Sequence, residues 1–159
     1  MSDNARQTIM DRLAATLAGA TVASGFLTDV GENVYVWPTL PFDEHDAYPL
    51  VAVSDRTETS SGTPVSEDRE LSVDLVIVDR NGEATAVRLR QAMCDVERVL
   101  GNNVRLRDGG LSIASVVLEM GRGWQLGFNH DKEVVGEASL QLTIKYRTNA
   151  HDTRQLTSE

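Results

Sequence analysis

Four neighbouring residues have side chains that could ligate a metal ion through carboxylate oxygens and an imidazole nitrogen. They are Asp43, Glu44, His45 and Asp46. Adjacent loop residues seldom converge on one ion, and the ligand spacing of an EF-hand is absent. The pattern therefore favours a solvated acidic loop, and we expect neither a metal ion nor a cofactor in this protein.

Cys94 is the only cysteine, and it could act as a nucleophile if a histidine served as its base. The three histidines are His45, His130 and His151. Nothing in the sequence places any of them within hydrogen-bonding reach of the thiol. A single cysteine on the flank of a helix is more often a small packed residue, and we expect Cys94 to be packed.

Other motifs imitate enzyme signatures without meeting them. In GRGWQLG, Gly121–Gly127, the third glycine falls one place too late for a dinucleotide fingerprint, and no helix follows. No serine lies in a G-x-S-x-G elbow, and no G-x-x-x-x-G-K phosphate loop occurs. We therefore predict no catalytic residue and expect that the protein is not an enzyme.

Composition limits the class of partner. The chain has 159 residues, 41% of them hydrophobic, which is enough for one domain with one core. Its formal charge of -9 repels nucleic-acid phosphates, so direct DNA or RNA binding is disfavoured. The charged N-terminus and the lack of a long apolar run predict a soluble protein without a secretion signal or a membrane partner.

Two helices are predicted from apolar residues that recur every three or four positions. The first runs from about Asp3 to Leu17, with Asp3 or Ser2 as its cap and Gly19 at its end. The second runs from about Glu83 to Leu100. Each has one apolar stripe, so each is expected to cover one side of a sheet.

About five strands are predicted from short apolar or alternating runs. The candidate runs are Asn33–Trp37, Leu50–Ser54, Leu71–Val78, Val104–Arg107, Leu111–Met120 and Ala138–Arg147. Gly121–Asp131 is expected to be a loop. The order predicts an α+β two-layer sandwich, in which two helices cover the apolar face of a mostly antiparallel or mixed sheet.

The segment TETSSGTPVSED, Thr57–Asp68, joins the second and third strands and is too long to be only a turn. It predicts an extended hairpin that reaches a neighbouring subunit, and a disordered surface loop is the alternative. Trp37 and Trp124 are expected to be core anchors, with interface contacts as the alternative. The candidate subunit or partner interface comprises Thr57, Glu58, Thr59, Pro64, Val65, Glu67, Asp68, Trp124 and Phe128.

A single domain is expected over residues 1–148. The remaining residues, 149–159, have no hydrophobic period and only one large apolar residue, Leu156. A segment of this kind cannot bury much apolar surface by itself. We therefore expect a flexible C-terminal tail.

The order of these segments resembles the tail terminator, or tail completion, proteins of tailed bacteriophages and related small neck and minor tail proteins. The resemblance extends from about Arg6 to Thr148 and rests on element order and hydrophobic pattern. The segments that carry it are RQTIMDRLAATL, VYVWP, YPLVAVSDRTE, LSVDLVIVDR, EATAVRLRQAMCDVERVLG, GGLSIASVVLE and ASLQLTIKYRT.

This resemblance implies a homo-oligomeric ring, usually a hexamer, at the tail-neck junction of a virion assembled in the host cytoplasm. Such a ring caps the tail tube, stops its polymerisation and contacts the tube protein, the head-neck connector and, in a contractile tail, the sheath. DNA passes through its lumen without specific binding, for which an acidic lining is suited. The hairpin or the Asp43–Asp46 loop is then expected near the opening or the subunit seam.

Three other functions stay open at this point. The chain could be a different neck or head-tail joining ring protein, which would share the same segment order. It could instead be a small ligand-binding regulatory α/β domain that uses GRGWQLGF as a pocket wall. It could also be an enzyme whose site forms only between subunits.

Overall fold

The computed structural model describes residues 4–38, 42, 45–117, 123–129, 135–149 and 152–157. Helix α1 spans Ala5–Leu17 and buries the predicted stripe, including Ile9 and Leu13. Its cap is Asn4, whose side chain accepts a hydrogen bond from the Gln7 amide at 2.8 Å. The sequence favours Asp3 or Ser2 as the cap, but the helix begins later than predicted, so the capping position falls on Asn4.

Helix α2 spans Thr85–Asn102 and follows a short 3₁₀ turn at Gly82–Ala84. Its buried face includes Leu89, Val96 and Leu100, as their spacing predicts. Both helices pack on one face of the sheet and share a single hydrophobic core with it.

Within the described residues, eight strands form one sheet. They are β1 (Val34–Val36), β2 (Leu50–Gly62), β3 (Ser66–Arg80), β4 (Arg105–Asp108), β5 (Leu111–Val117), β6 (Gln125–Asn129), β7 (Val135–Asn149) and β8 (Asp152–Leu156). Their order is β1-β2-β3-β7-β5-β4, with β6 and β8 also paired to β7. Only β1 and β2 are parallel among the described pairs. The α+β two-layer prediction, with a mixed sheet and both helices on one face, is confirmed, although there are more strands than the five or so expected.

Strands β3 and β7 are the centre of the sheet. Each has 15 residues, and they pair in register from Ser66 opposite Asn149 to Arg80 opposite Val135. Alternate residues point into the helix-covered core, and those between them form the polar face. The buried face and the solvent-facing face of the sheet therefore follow from the alternating sequence pattern.

Two strands lie where the sequence predicts none. The predicted loop Gly121–Asp131 contains β6, which continues the line of β5 along β7. Val117 pairs with Thr143, and Gln125 pairs with Ser139. The eight positions from Val117 to Gln125 therefore correspond to only four positions of β7. More residues thus separate β5 from β6 than separate their partners on β7.

The second unexpected strand lies in the segment 149–159, for which the sequence predicts a flexible tail. Asn149 is instead the last residue of β7, and β8 pairs with β7. Leu156 packs against the core, and the Thr157 amide donates to the Arg147 carbonyl at 3.0 Å. No helix in the described ranges combines the length and apolar character required to cross a bilayer.

Candidate functional site

The predicted extended hairpin is present, and we call residues Glu58–Glu70 the arm. Strand β2 runs to Gly62 and β3 begins at Ser66, so most of the arm is paired strand. β1 covers β2 only at Val51–Val53. In the part of the chain that the structure describes, no strand lies beside the outer edge of β2 from Asp55 to Gly62.

The arm ends in a short turn at residues 63–65. The Thr63 amide donates to the Ser66 carbonyl at 2.9 Å, and the Thr63 hydroxyl accepts from the Ser66 amide at 3.2 Å. A Cβ on Gly62 would lie only 2.3 Å from the Ser66 carbonyl oxygen, so the strands approach too closely there for a side chain. Val65 is 78% exposed at the tip.

A bulge lies at the base of the arm. Asp55 pairs with Val73 and Glu58 with Leu71, so two residues of β2, Arg56 and Thr57, lie opposite one of β3. A bulge bends a strand and increases its local twist. It therefore changes the direction of the arm relative to the rest of β2.

Arg69 holds the inner face of the arm together. Its Nη1 lies 2.7 Å from Glu58 Oε2, its Nη2 lies 2.5 Å from Glu67 Oε2, and its Nε donates to Thr148 Oγ1 at 3.0 Å. The Tyr146 hydroxyl donates to the other oxygen of Glu58. The Arg69 side chain is only 12% exposed, so these charged hydrogen bonds lie largely out of water.

This environment shifts two pKa values. Burial, and then the hydrogen bond to the Glu58 carboxylate, raise the pKa of the Tyr146 hydroxyl well above its usual range. Burial opposes the charge on Arg69, but its hydrogen bonds and ion pairs with Glu58 and Glu67 outweigh that effect and raise its pKa. The network is thus most stable with Tyr146 neutral and Arg69 charged.

The outer face of the arm carries a different pair of contacts. Arg147 Nε donates to Asp68 Oδ1 at 2.6 Å, and Lys145 Nζ lies 3.0 Å from Glu70 Oε1. These four side chains are exposed, so their attraction is screened by solvent. The hydrogen bond from Arg147 lowers the pKa of Asp68.

The structure divides the predicted arm residues into two groups. Glu58 and Glu67 turn inward to Arg69 and stabilise the arm itself. The exposed group, which is available to a partner, comprises Thr57, Thr59, Pro64, Val65 and Asp68.

The other two predicted interface residues flank or lie on β6. The half-buried Trp124 donates from Nε1 to Glu97 Oε1 on α2 at 2.6 Å. Phe128 is 40% exposed and lies over Gly136. Leu126, which is 44% exposed, is between them on the same side of the strand and was not singled out from the sequence. The alternation of Trp124, Leu126 and Phe128 is the signal that indicates it.

The arm and β6 lie at opposite ends of β7. β6 pairs with Val135–Ser139, whereas β3 of the arm pairs with Lys145–Asn149. About ten residues separate the centres of these two segments, which is roughly 33 Å along a strand. The predicted interface residues thus form two separate surfaces on one chain.

Trp37 lies outside the core, so its expected role as a core anchor is wrong. Its side chain is 56% exposed, and its backbone has φ 48°, which is uncommon for a bulky residue. Its Nε1 donates to Asp55 Oδ1 at 2.5 Å, and the Arg56 guanidinium lies 5.6 Å from the ring centroid. Arg6 also forms an ion pair with Asp55 and so fixes the carboxylate that accepts from Trp37. Trp37 therefore lies beside Asp55, where the open edge of β2 begins.

An open groove of about 530 Å³ lies beside Trp124 on the polar face of the sheet. Its lining includes Asp74, Ser139 and Gln141 from the sheet, together with Gly123, Trp124 and Gln125 from GRGWQLGF.

The structure describes only some of the residues that could take part in chemistry. Cys94 is exposed, which corrects the expectation of a packed thiol. His45 is also exposed, while Asp43, Glu44, His130 and His151 lie outside the described residues. Within the described ranges, no group of three His, Cys, Asp or Glu side chains is placed to hold a metal ion.

The chain matches no protein-family model, and no curated protein matches it significantly. Its function is therefore inferred from the arm, from β6 and from the charge of the chain.

Proposed function

We propose that this protein is a structural component of a bacteriophage tail, a terminator that assembles as a ring. The ring caps the tail tube, stops its polymerisation and joins the tail to the head-neck connector. The observation that carries the proposal is the arm, which is internally braced by Arg69 but exposes its tip and its outer strand edge.

The outer edge of β2 is the feature that favours pairing with another strand. A long strand edge presents unpaired amide and carbonyl groups, and monomeric proteins protect such edges with lysine, proline or a covering element. Residues Asp55–Gly62 contain neither lysine nor proline. Their first part is protected by the bulge, by Arg6, which donates to the Arg56 carbonyl at 3.2 Å, and by the inward-turned charge of Glu58, whereas Thr59–Gly62 carry no charge. Pairing with another copy satisfies these groups, and a closed ring satisfies them in every copy.

The charge of the chain supports the same function. Asp and Glu number 24 against 15 Lys and Arg, so copies gathered around a channel create a negative potential. Such a potential repels phosphates and allows DNA to slide through the lumen instead of adhering to it. The partners in this proposal are further copies of the chain, the tube protein and the connector.

Shortening the arm tests the proposal. Ser60 pairs with Arg69, so replacing Ser61–Asp68 with Asn-Gly closes a two-residue hairpin and keeps Arg69 with Glu58. We expect the variant to keep the circular dichroism spectrum of the wild type and to lose ring formation and tube capping. Val104→Asp, a charge introduced at an exposed valine outside the arm, is the control and should assemble normally. Rings and caps formed equally well by the shortened variant would contradict the proposal.

One other function has an observation in its favour. The groove beside Trp124 is large enough for a small ligand, as a regulatory ligand-binding domain requires. Such a protein would remain a single 17.4 kDa copy in the presence of tail tubes, and shortening the arm would not affect it. A different neck ring protein would form rings but would bind the connector without capping tubes.

A further inference from the structure

We infer that the arm of one copy docks along β6 of the next copy and adds its β2 edge to the neighbour's sheet. This inference rests on the proposed ring and names the surface that receives the arm. It concerns Glu58–Gly62 of one copy and Gln125–Asn129 of the other.

The positions of the two surfaces fit a ring. A head-to-tail interface requires two different surfaces on each copy, whereas a two-fold interface uses one surface twice. The arm and β6 are different surfaces at opposite ends of β7, roughly 33 Å apart. β2 and β6 also lie on opposite sides of β7. If each copy is displaced both along the strand direction and sideways across the sheet, the β2 edge of its arm meets β6 of the next copy.

The strand directions also fit. β6 is antiparallel to β7, β7 to β3, and β3 to β2, so β6 and β2 run in opposite directions. Successive copies in a head-to-tail ring have the same orientation, up to the rotation of the ring. The β2 edge of one copy therefore lies antiparallel to β6 of the next, which is the more stable kind of strand pair.

Both segments are long enough to pair and are largely exposed. Strand β6 has 5 residues, all exposed, and it fits within the open β2 edge, in which Thr59–Gly62 are exposed and Glu58 is half-buried. Leu126 and Phe128 are 44% and 40% exposed on β6, and Val65 is 78% exposed at the arm tip. Backbone pairing provides the affinity, and these apolar side chains lose contact with water when the strands join.

Disulfide trapping tests this contact. In a Cys94→Ser background, Ser60→Cys or Ser61→Cys is combined with Gln125→Cys or Gly127→Cys. Ser60 and Ser61 lie on opposite faces of β2, whereas Gln125 and Gly127 share one face of β6. The four pairs therefore test the registers that place Ser60 opposite Gln125, Leu126, Gly127 or Phe128, each of which keeps at least three of the five positions paired. Oxidation of the pair that matches the register should produce a ladder of covalent multimers, whereas mixing the matching single variants should stop at dimers. Ser60→Cys combined with Leu111→Cys, at an exposed site on β5, should give no ladder.

Electron microscopy of the same samples separates the two proposals. A ladder together with rings supports both the ring and this contact. Rings without a ladder from any pair overturn the contact and leave the proposed function standing. Neither rings nor a ladder, in the presence of tail tubes, overturns both. A ladder as strong with Leu111→Cys as with β6 also overturns the contact, because it shows random collision.

Discussion

Arg69 is the residue on which the shape of the arm depends. Arg69→Ala removes its ion pairs to Glu58 and Glu67 and leaves both carboxylates half-buried. We expect the free energy of unfolding to fall by about 2–3 kcal/mol, since charged hydrogen bonds in a shielded site are lost. Urea denaturation measures it. Arg147→Ala is the matched control, and its exposed pair with Asp68 should matter much less. Equal losses in both variants would show that the inner network does not brace the arm.

Asp79 provides a test with a distinct pH dependence. It is fully buried, and neither carboxylate oxygen makes a hydrogen bond of normal geometry among the described residues, although Arg88 Nη2 lies 3.4 Å from Oδ1 and the Arg80 amide approaches the carboxylate. Burial raises its pKa, and the charge of Arg88 only partly offsets this. A raised pKa contributes stability at low pH that is lost as pH rises. Asp79→Asn should therefore be more stable than the wild type at pH 7, on the order of 1 kcal/mol, and the difference should vanish below about pH 4.

Asp55→Asn is the comparison for Asp79→Asn, because the pKa of Asp55 is lowered instead of raised. Burial raises the pKa of Asp55, but hydrogen bonds from Trp37 and Arg6 outweigh this and lower it. A lowered pKa contributes stability at neutral pH that is lost as pH falls through the folded-state value. The variant should be less stable than the wild type at pH 7 and equal to it in strong acid. The same sign of change in both variants would contradict these assignments.

Sequence patterns predict which residues alternate between faces but not which charged residues meet. The inward turn of Glu58 and Glu67 depends on Arg69 and on Thr148, which is 79 residues farther along the chain. Trp37 is exposed because it lies where β1 ends and is bound to Asp55, a contact that no local period encodes. These contacts follow from strand register, which long-range pairing sets.

At the scale of elements, Gly136 sets how closely α2 approaches β7. A Cβ there would lie 2.8 Å from Thr85 Cγ2 and 3.1 Å from Leu89 Cδ2. Gly136→Ala should lower the free energy of unfolding by about 1–3 kcal/mol, because the start of α2 must move. Gly101→Ala is the control, since nothing lies within 4 Å of its Cβ position and alanine favours a helix. Thermal unfolding measures the stability of both variants. An unchanged stability of Gly136→Ala would mean that close packing of α2 on β7 does not require this glycine.

The long elements are predictable and the short edge strands are not. Helices α1 and α2 and the central strands have full apolar periods, and the structure places all of them where the sequence does. β6 and β8 have 5 residues each and exist because β7 offers them an edge. An edge strand needs little apolar sequence of its own. The sequence pattern therefore predicts a loop for GRGWQLGF and a flexible tail for the C-terminal segment.

At the scale of the whole molecule, the α+β sandwich with its hairpin follows from the sequence because one face of each element is apolar. The candidate interface follows only in part. The sequence indicates the arm, Trp124 and Phe128, but only the sheet order shows that they form two surfaces at opposite ends. That separation is what makes a head-to-tail ring the assembly that we propose.

Electron microscopy of the full chain mixed with isolated bacteriophage tail tubes tests the central claim most directly. We predict a closed ring of several copies at one end of each tube, in which density runs from the arm of each copy to its neighbour. Bare tube ends together with solitary 17.4 kDa particles would contradict the account.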